Sequence, residues 1–224
     1  MTLDSVDLAL WLASIGMEVA LLALAVWKRI YRTLPYFFYY LIWCLCSEVM
    51  LAIARPLPSA YLPVTLLGIT VDALFQLAIL AELGRSVIRY NRATPPNKAV
   101  LGLLTVLGCV IAWSLNRWTV PTNTPFLESI YTVLLEVIAV LRIAFLLALV
   151  WWSSLQKLRW PPRELQILTG LGFYAMSALC VVVLHSHNMK GLQFHWLDQM
   201  LVGSYLWTLF FWMLASTTNL VEPQ

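Results

Sequence analysis

Residues 7–27 read DLALWLASIGMEVALLALAVW, a run in which only Asp7 and Glu18 carry a charge. A helix needs about 20 consecutive apolar residues to cross a hydrocarbon core of roughly 30 Å. This run has that length, and Lys28 and Arg29 follow it at once, as basic residues often do where a span reaches the membrane surface. The N-terminal segment starts with acidic Asp4 and Asp7 and lacks a basic n-region and a small-residue cleavage site, so we expect the run to be retained as the first membrane helix.

Similar runs recur along the whole chain and leave no segment for a soluble domain. Apolar residues make up 61% of the sequence and charged residues 11%, against roughly 45–50% and about 25% in soluble domains. The predicted spans are 7–27, 36–54, 62–86, 99–115, 126–152, 165–185 and 194–216. Residues 1–224 are therefore predicted to form one all-α membrane domain, a bundle of seven transmembrane helices. Because the connections are short, consecutive helices should be antiparallel neighbours.

The distribution of basic residues predicts the orientation of this bundle. Loops rich in Lys and Arg stay in the cytoplasm during insertion. The first, third and fifth connections together contain ten basic residues, namely Lys28, Arg29, Arg32, Arg85, Arg89, Arg92, Lys98, Lys157, Arg159 and Arg163. The opposite connections contain only Arg55, Arg117 and Lys190. We therefore expect the N-terminus outside and the C-terminus in the cytoplasm.

The positions of the cysteines argue against disulfide bonds, and the positions of the basic residues argue against nucleic-acid binding. Cys44, Cys46, Cys109 and Cys180 all lie inside apolar runs, where a thiol behaves as a small hydrophobe, so no disulfide and no cysteine metal site is expected. The formal charge of +3 resides in short loops between spans, where lipid headgroups are the expected partners. The sequence predicts no nucleic-acid partner and no cofactor.

Polar residues at hydrocarbon depth are the candidates for a functional site. A charge at the centre of a span costs about 2.5–3.5 kcal/mol, so each such residue should face the bundle interior and find a partner. The candidates are Glu18, Glu48, Asp72, Gln76, Glu82, Glu136 and Arg142. Asp72 and Gln76 are four residues apart and share a helical face, which must therefore point into protein.

Arg142 should pair with a carboxylate from another helix, because its charge is permanent. Glu136 lies six residues away, about 120° around the same helix, and is poorly placed to reach it. Glu18 and Glu82 are the candidates nearest in depth. Two interpretations of the buried acids stay open. In the first, they are polar contacts that fix helix register. In the second, they form a functional site, either a path for protons or ions or a small polar ligand site, since the acids outnumber the single base.

A second candidate site lies near the start of the last span. His185, His187, His195 and Asp198 fall in one short stretch, and His195 and Asp198 would share a helical face. These residue types are compatible with a metal site facing outward, although interfacial histidines also commonly extend to water. A haem held by His185 and His195 fits less well, because such ligands usually lie deeper between helices.

Several classes of seven-helix protein and of enzyme are excluded, because the residues that each class requires are absent from this sequence. The span 194–216 contains no lysine for a retinal Schiff base, and the chain has no GxSxG, HExxH or Gly-rich phosphate motif. The third span ends in Glu82, Leu83, Gly84 and Arg85, where G-protein-coupled receptors have Asp-Arg-Tyr. An enzymatic activity is therefore not predicted.

Two stretches resemble an uncharacterised group of small seven-helix integral membrane proteins of bacteria. They are WKRIYRTLPYFFYYLIW at 27–43, which follows the span containing Glu18, and AILAELGRSVIRY at 78–90. The resemblance covers about the first ninety residues and implies a bacterial inner membrane, without implying an activity.

Three functions are compatible with these features. The first is a non-enzymatic sensor, scaffold or subunit of a membrane complex that acts through helix and lipid contacts. Its partners would be the bilayer and either further copies of the chain or another membrane protein. The second is a small ion- or proton-coupled transporter that uses the carboxylates at mid-depth. The third is a metal-dependent enzyme at the outer face, built on the histidines.

Overall fold

The computed structural model describes residues 5–92, 126–186 and 192–217, and the regular structure in these ranges is helical. The helices are α1 (Ser5–Trp27), α2 (Pro35–Ala54), α3 (Pro58–Asn91), α4 (Phe126–Leu155), α5 (Pro162–Ser186) and α6 (Leu192–Thr217), with a 3-10 turn at Ile30–Arg32. For residues 126–136 the backbone alone is described.

All six helices contain a stretch that is long and apolar enough to cross a membrane. The chain is therefore an all-helical protein of the multi-pass membrane type. The described residues contain six such helices, not the seven predicted, and the predicted span 99–115 lies outside them. The other six predicted spans each correspond to one helix.

Helix α3 is the one whose predicted bounds were most in error. It has 34 residues, about 51 Å at 1.5 Å per residue, whereas the apolar run predicted only 62–86. Pro58 occupies its first turn, where a missing N–H costs nothing, and the helix continues through Arg85 and Arg89. A search for apolar runs underestimates such a helix, because its last turns contain Arg85, Arg89 and Asn91 and are no longer apolar.

The six helices form a closed ring in the order of the chain, with α6 packed against α1 and an additional contact between α3 and α5. Helices α3 and α4 run parallel, because Asp72 meets Arg142 and, further along both helices, Gly84 lies beside Leu149. Helices α1 and α6 are also parallel. The remaining neighbours in the ring are antiparallel, as the short connections predicted.

This arrangement gathers most of the described basic residues at one end of the bundle. We call the end at which α1, α3, α4 and α6 finish the basic end, and the end at which α1 begins the far end. The residues at the basic end are Lys28, Arg29, Arg32, Arg85, Arg89, Arg92, Lys157, Arg159 and Arg163. Arg55 lies at the far end, and Lys98, Arg117 and Lys190 lie outside the described residues.

The bundle core is built from aromatic and aliphatic side chains of α1, α2, α3, α5 and α6. Trp212 is 1% exposed and makes edge contacts with the rings of Phe37 and Tyr40, at centroid distances of 5.2 and 5.9 Å. Its indole Nε1 also donates a hydrogen bond to the Ile167 carbonyl at 3.1 Å. Edge-to-face rings and a satisfied indole are the arrangement expected for buried aromatics.

Close approach of α5 and α6 depends on Gly170. A Cβ added at this position would lie 2.8 Å from Trp212 Nε1, and Thr208 Oγ1 donates to the Gly170 carbonyl at 3.0 Å. Small residues permit such contacts between membrane helices. The glycine is therefore required by packing against Trp212.

Gly170→Ala should lower the free energy of unfolding by about 1–3 kcal/mol, because Trp212 is buried and must shift. Gly203→Ala on α6 is the matched control, since a Cβ there meets nothing within 4 Å and alanine favours a helix. Thermal unfolding of the purified protein in detergent measures both changes. Equal melting temperatures for the two variants would contradict the assigned contact.

Candidate functional site

A largely buried ion pair joins the middle of α3 to the middle of α4. Arg142 Nη2 donates to Asp72 Oδ2 at 2.6 Å; Arg142 is only 7% exposed, whereas the Asp72 side chain is 27% exposed. The predicted pairing of this arginine with a carboxylate of another helix is confirmed, but the acid is Asp72, and the two candidates named for it, Glu18 and Glu82, were wrong. Depth alone suggested those acids, whereas α3 and α4 are the neighbours that bring Asp72 into reach.

Gln76 extends this ion pair to a third helix. Its side-chain Nε2 donates to Asp72 Oδ2 at 2.9 Å and to the Tyr40 hydroxyl at 3.0 Å, and the residue is completely buried. The predicted inward face shared by Asp72 and Gln76 is therefore confirmed. Together, Tyr40, Asp72, Gln76 and Arg142 form a polar network, which we call the central network, across α2, α3 and α4.

Glu18 forms a separate polar contact between α1 and α6. The Tyr205 hydroxyl donates to its Oε1 at 2.6 Å, and Glu18 is 1% exposed. Its other oxygen, Oε2, is buried and has no hydrogen-bond partner among the described residues. The ring of Tyr205 packs edge-on against Tyr174 at 5.7 Å, so aromatic surface from α5 closes this side of the carboxylate.

Glu48 lies nearer the far end, on α2. Trp11 Nε1 of α1 donates to its Oε2 at 2.6 Å. The residue is partly buried, unlike Glu18. The contact therefore places a carboxylate where α1 and α2 meet, at a depth where indoles commonly lie in membrane proteins.

Glu82 accepts hydrogen bonds from the backbone N–H groups in the first turn of α2. This helix begins with Pro35, and Leu34 before it offers no side-chain cap. The backbone N–H groups of Tyr36 and Phe37 instead donate to the two oxygens of Glu82, each at 3.1 Å. A helix N-terminus carries partial positive charge and unpaired N–H groups, so it stabilises this carboxylate.

A further set of buried polar residues lies close to Glu82, at the start of α5. Arg163 contacts its neighbour Glu164 at 3.1 Å, and Ser86 of α3 donates to the same Glu164 oxygen at 3.1 Å. The sequence indicated a loop position for Arg163, but it lies in the first helical turn and is 8% exposed. Nothing in the spacing of Arg163 predicted its burial.

The remaining candidates fall where side chains are not described. Glu136 lies in α4, His185 in α5, and His195 and Asp198 in α6, while His187 lies between the described ranges. Among the side chains that the structure describes, which exclude these five residues, no three His, Cys, Asp or Glu residues are grouped to hold a metal ion. The cysteines described, Cys44, Cys46 and Cys180, are free thiols, and Cys109 lies outside the described ranges.

The polar groups thus connect neighbouring helices around the ring. The central network joins α2, α3 and α4, the Glu18 contact joins α1 and α6, and Glu82 joins α3 to α2. No family model, curated protein or solved structure matches the chain. The fold and these contacts define a multi-pass helical membrane protein with polar contacts between its helices.

Proposed function

We propose that this chain is a non-enzymatic multi-pass protein of a bacterial inner membrane, which acts as a sensor, scaffold or subunit of a membrane complex. The observation that carries the proposal is the central network. Its arginine and aspartate neutralise each other and are held by Gln76 and Tyr40. A pair neutralised within the bundle fixes how the helices fit together, and within this network Arg142 Nε and Gln76 Oε1 have no hydrogen-bond partner among the described residues.

A seventh span is part of the proposal. Because α3 and α4 are parallel, α3 ends at Asn91 at the basic end and α4 begins at Phe126 at the far end. A seventh span between them would return the chain from the basic end to the far end. The apolar run 99–115 is the segment suited to that crossing.

The basic end supports a cytoplasmic placement for that side. Nine of the ten described loop and helix-end cations lie there, and positive charge is retained on the cytoplasmic side during insertion. The N-terminus would then be outside and the C-terminus inside. Anionic headgroups of the cytoplasmic leaflet are the natural counter-charges for these residues.

Proton-coupled transport is the second candidate, and the observation that favours it is Glu18. This acid is buried, has one hydrogen bond and leaves Oε2 without a partner among the described residues. Asp72 supports transport less than Glu18 does, since the charge of Asp72 is balanced by Arg142. The transport hypothesis therefore depends on Glu18.

A flux measurement separates the two functions. Purified protein in liposomes with an internal pH dye should, as a scaffold or sensor, show no pH change beyond that of empty liposomes when a potassium diffusion potential is imposed. A proton flux that is lost in Glu18→Gln and kept in Glu164→Gln would instead establish transport. Both variants remove a buried acid, so the second controls for altered folding.

A further inference from the structure

Cys44 lies on α2 between the Glu18 contact and the central network. Its thiol contacts the side chains of two tyrosines, Tyr205, which donates to Glu18, and Tyr40, which belongs to the central network. Cys44 is 7% exposed and is part of the bundle core. A line of polar side chains therefore runs through the middle of the bundle, and the thiol is its central member.

The central network fixes the direction of the hydrogen bonds at one end of this line. Gln76 Nε2 lies 2.9 Å from Asp72 Oδ2 and 3.0 Å from the Tyr40 hydroxyl. An amide oxygen placed against a carboxylate would be repelled, so Gln76 must turn its N–H groups toward Asp72. The Tyr40 hydroxyl, which is bonded to the same nitrogen, is therefore the acceptor, and its own proton is available to another group. The Cys44 sulfur lies beside that hydroxyl and can accept this proton.

Glu18 fixes the direction at the other end of the line. The Tyr205 hydroxyl gives its proton to Glu18 Oε1 at 2.6 Å, and its oxygen can still accept a hydrogen bond. A thiol has one proton and can also accept, so Cys44 can donate to Tyr205 while it accepts from Tyr40. Each member of the line then donates to the next one toward Glu18, and aligned hydrogen bonds strengthen one another.

Aromatic rings surround this line. The ring of Tyr205 packs against Tyr174 at a centroid distance of 5.7 Å. The ring of Tyr40 lies 5.9 Å from that of Trp212 and 6.3 Å from that of Phe75. Buried tyrosine hydroxyls usually find a hydrogen-bond partner, and a thiol hydrogen bond is stronger in such a low-dielectric interior than in water.

We propose that Cys44 is a hydrogen-bond relay that joins Glu18 to the central network, so that the two polar sites are energetically coupled. The joined line connects five helices, namely α1, α2, α3, α4 and α6. A change at Glu18 then reaches Tyr40 and Gln76, while the ion pair of the central network keeps its direct contact. This inference goes beyond the proposed function and holds for a scaffold as well as for a transporter.

The S–H stretching band in the infrared spectrum tests the relay directly, because donating a hydrogen bond weakens the S–H bond and lowers its frequency. Two variants of the full chain each keep one thiol, Cys44 or the exposed Cys46 on the same helix, with the other three cysteines replaced by Ala. Tyr205→Phe removes the acceptor, so it should shift the Cys44 band to higher frequency and leave the Cys46 band unchanged. A Cys44 band that does not move, or a Cys46 band that moves equally, would overturn the proposal.

Thermal unfolding in detergent tests the coupling. Glu18→Gln and Tyr40→Phe change the two ends of the line, and their shifts in melting temperature should not add, as is usual within one hydrogen-bond network. In a Cys44→Ala background the two shifts should add, whereas Cys44→Ser, whose hydroxyl both donates and accepts, should preserve the non-additivity. Additive shifts with Cys44 present, or non-additive shifts that persist in Cys44→Ala, would contradict the relay.

Discussion

Arg142→Met should lower the free energy of unfolding by about 3–5 kcal/mol, the usual cost of leaving one member of a buried ion pair without its partner. The change leaves the Asp72 carboxylate with only Gln76 as a hydrogen-bond donor among the described residues. Folded yield in membranes and unfolding by denaturant in detergent both report this loss.

Neutralising the partner should restore most of that stability. In Arg142→Met/Asp72→Asn neither position carries a charge, and Gln76 keeps a hydrogen-bonding neighbour at position 72. The matched control is Arg142→Met/Glu18→Gln, which neutralises a buried acid that does not contact Arg142. Rescue by Glu18→Gln rather than by Asp72→Asn would contradict the pairing.

Glu82→Ala should be the second most damaging single change, at about 2–4 kcal/mol. It leaves the N–H groups of Tyr36 and Phe37 without their acceptors, and each unsatisfied buried donor costs about 1–3 kcal/mol. Glu82→Gln should cost less, because one carbonyl oxygen still accepts. Hydrogen exchange at the first turn of α2 should accelerate in step with the loss of stability.

The control for Glu82 lies two turns further along the same helix. Arg89→Ala removes an exposed charge from α3 and should change stability by no more than about 0.5 kcal/mol. If Glu82→Ala is as mild as this control, or if exchange in the first turn of α2 is unchanged, the capping role is wrong.

Apolar runs predicted most of the helices because the bilayer dictates the length and composition of a span. A span must be apolar for about 20 residues, so α1, α2, α4, α5 and α6 begin and end within a few residues of their predicted bounds. The long α3 departs from prediction because its last turns contain Arg85, Arg89 and Asn91 and are not apolar. There polarity no longer marks where a helix stops.

Side-chain partners were predicted poorly, because they depend on which helices are neighbours and how each is rotated. The shared face of Asp72 and Gln76 follows from helical periodicity alone, and it was correct. The partner of Arg142 depends on the parallel packing of α3 and α4, which no local pattern shows.

The sequence weakly indicates that the first turn of α2 needs a cap from a distant residue. Pro35 indicates a helix start, and Leu34 before it supplies no Ser, Thr, Asp or Asn to cap the first turn. Such a start requires an acceptor from elsewhere, and Glu82 is an acid near the same end of the bundle. The signal does not identify which distant residue provides the cap.

Reporters fused to the two ends of the full chain test the membrane architecture most directly. A protein that fluoresces only in the cytoplasm, and a phosphatase active only outside it, are each placed before Met1 and after Gln224 in turn. Seven spans with the basic end inside predict phosphatase activity at the N-terminus and fluorescence at the C-terminus. Activity of the same reporter at both termini would contradict the odd number of spans, and the reverse pattern would contradict the orientation.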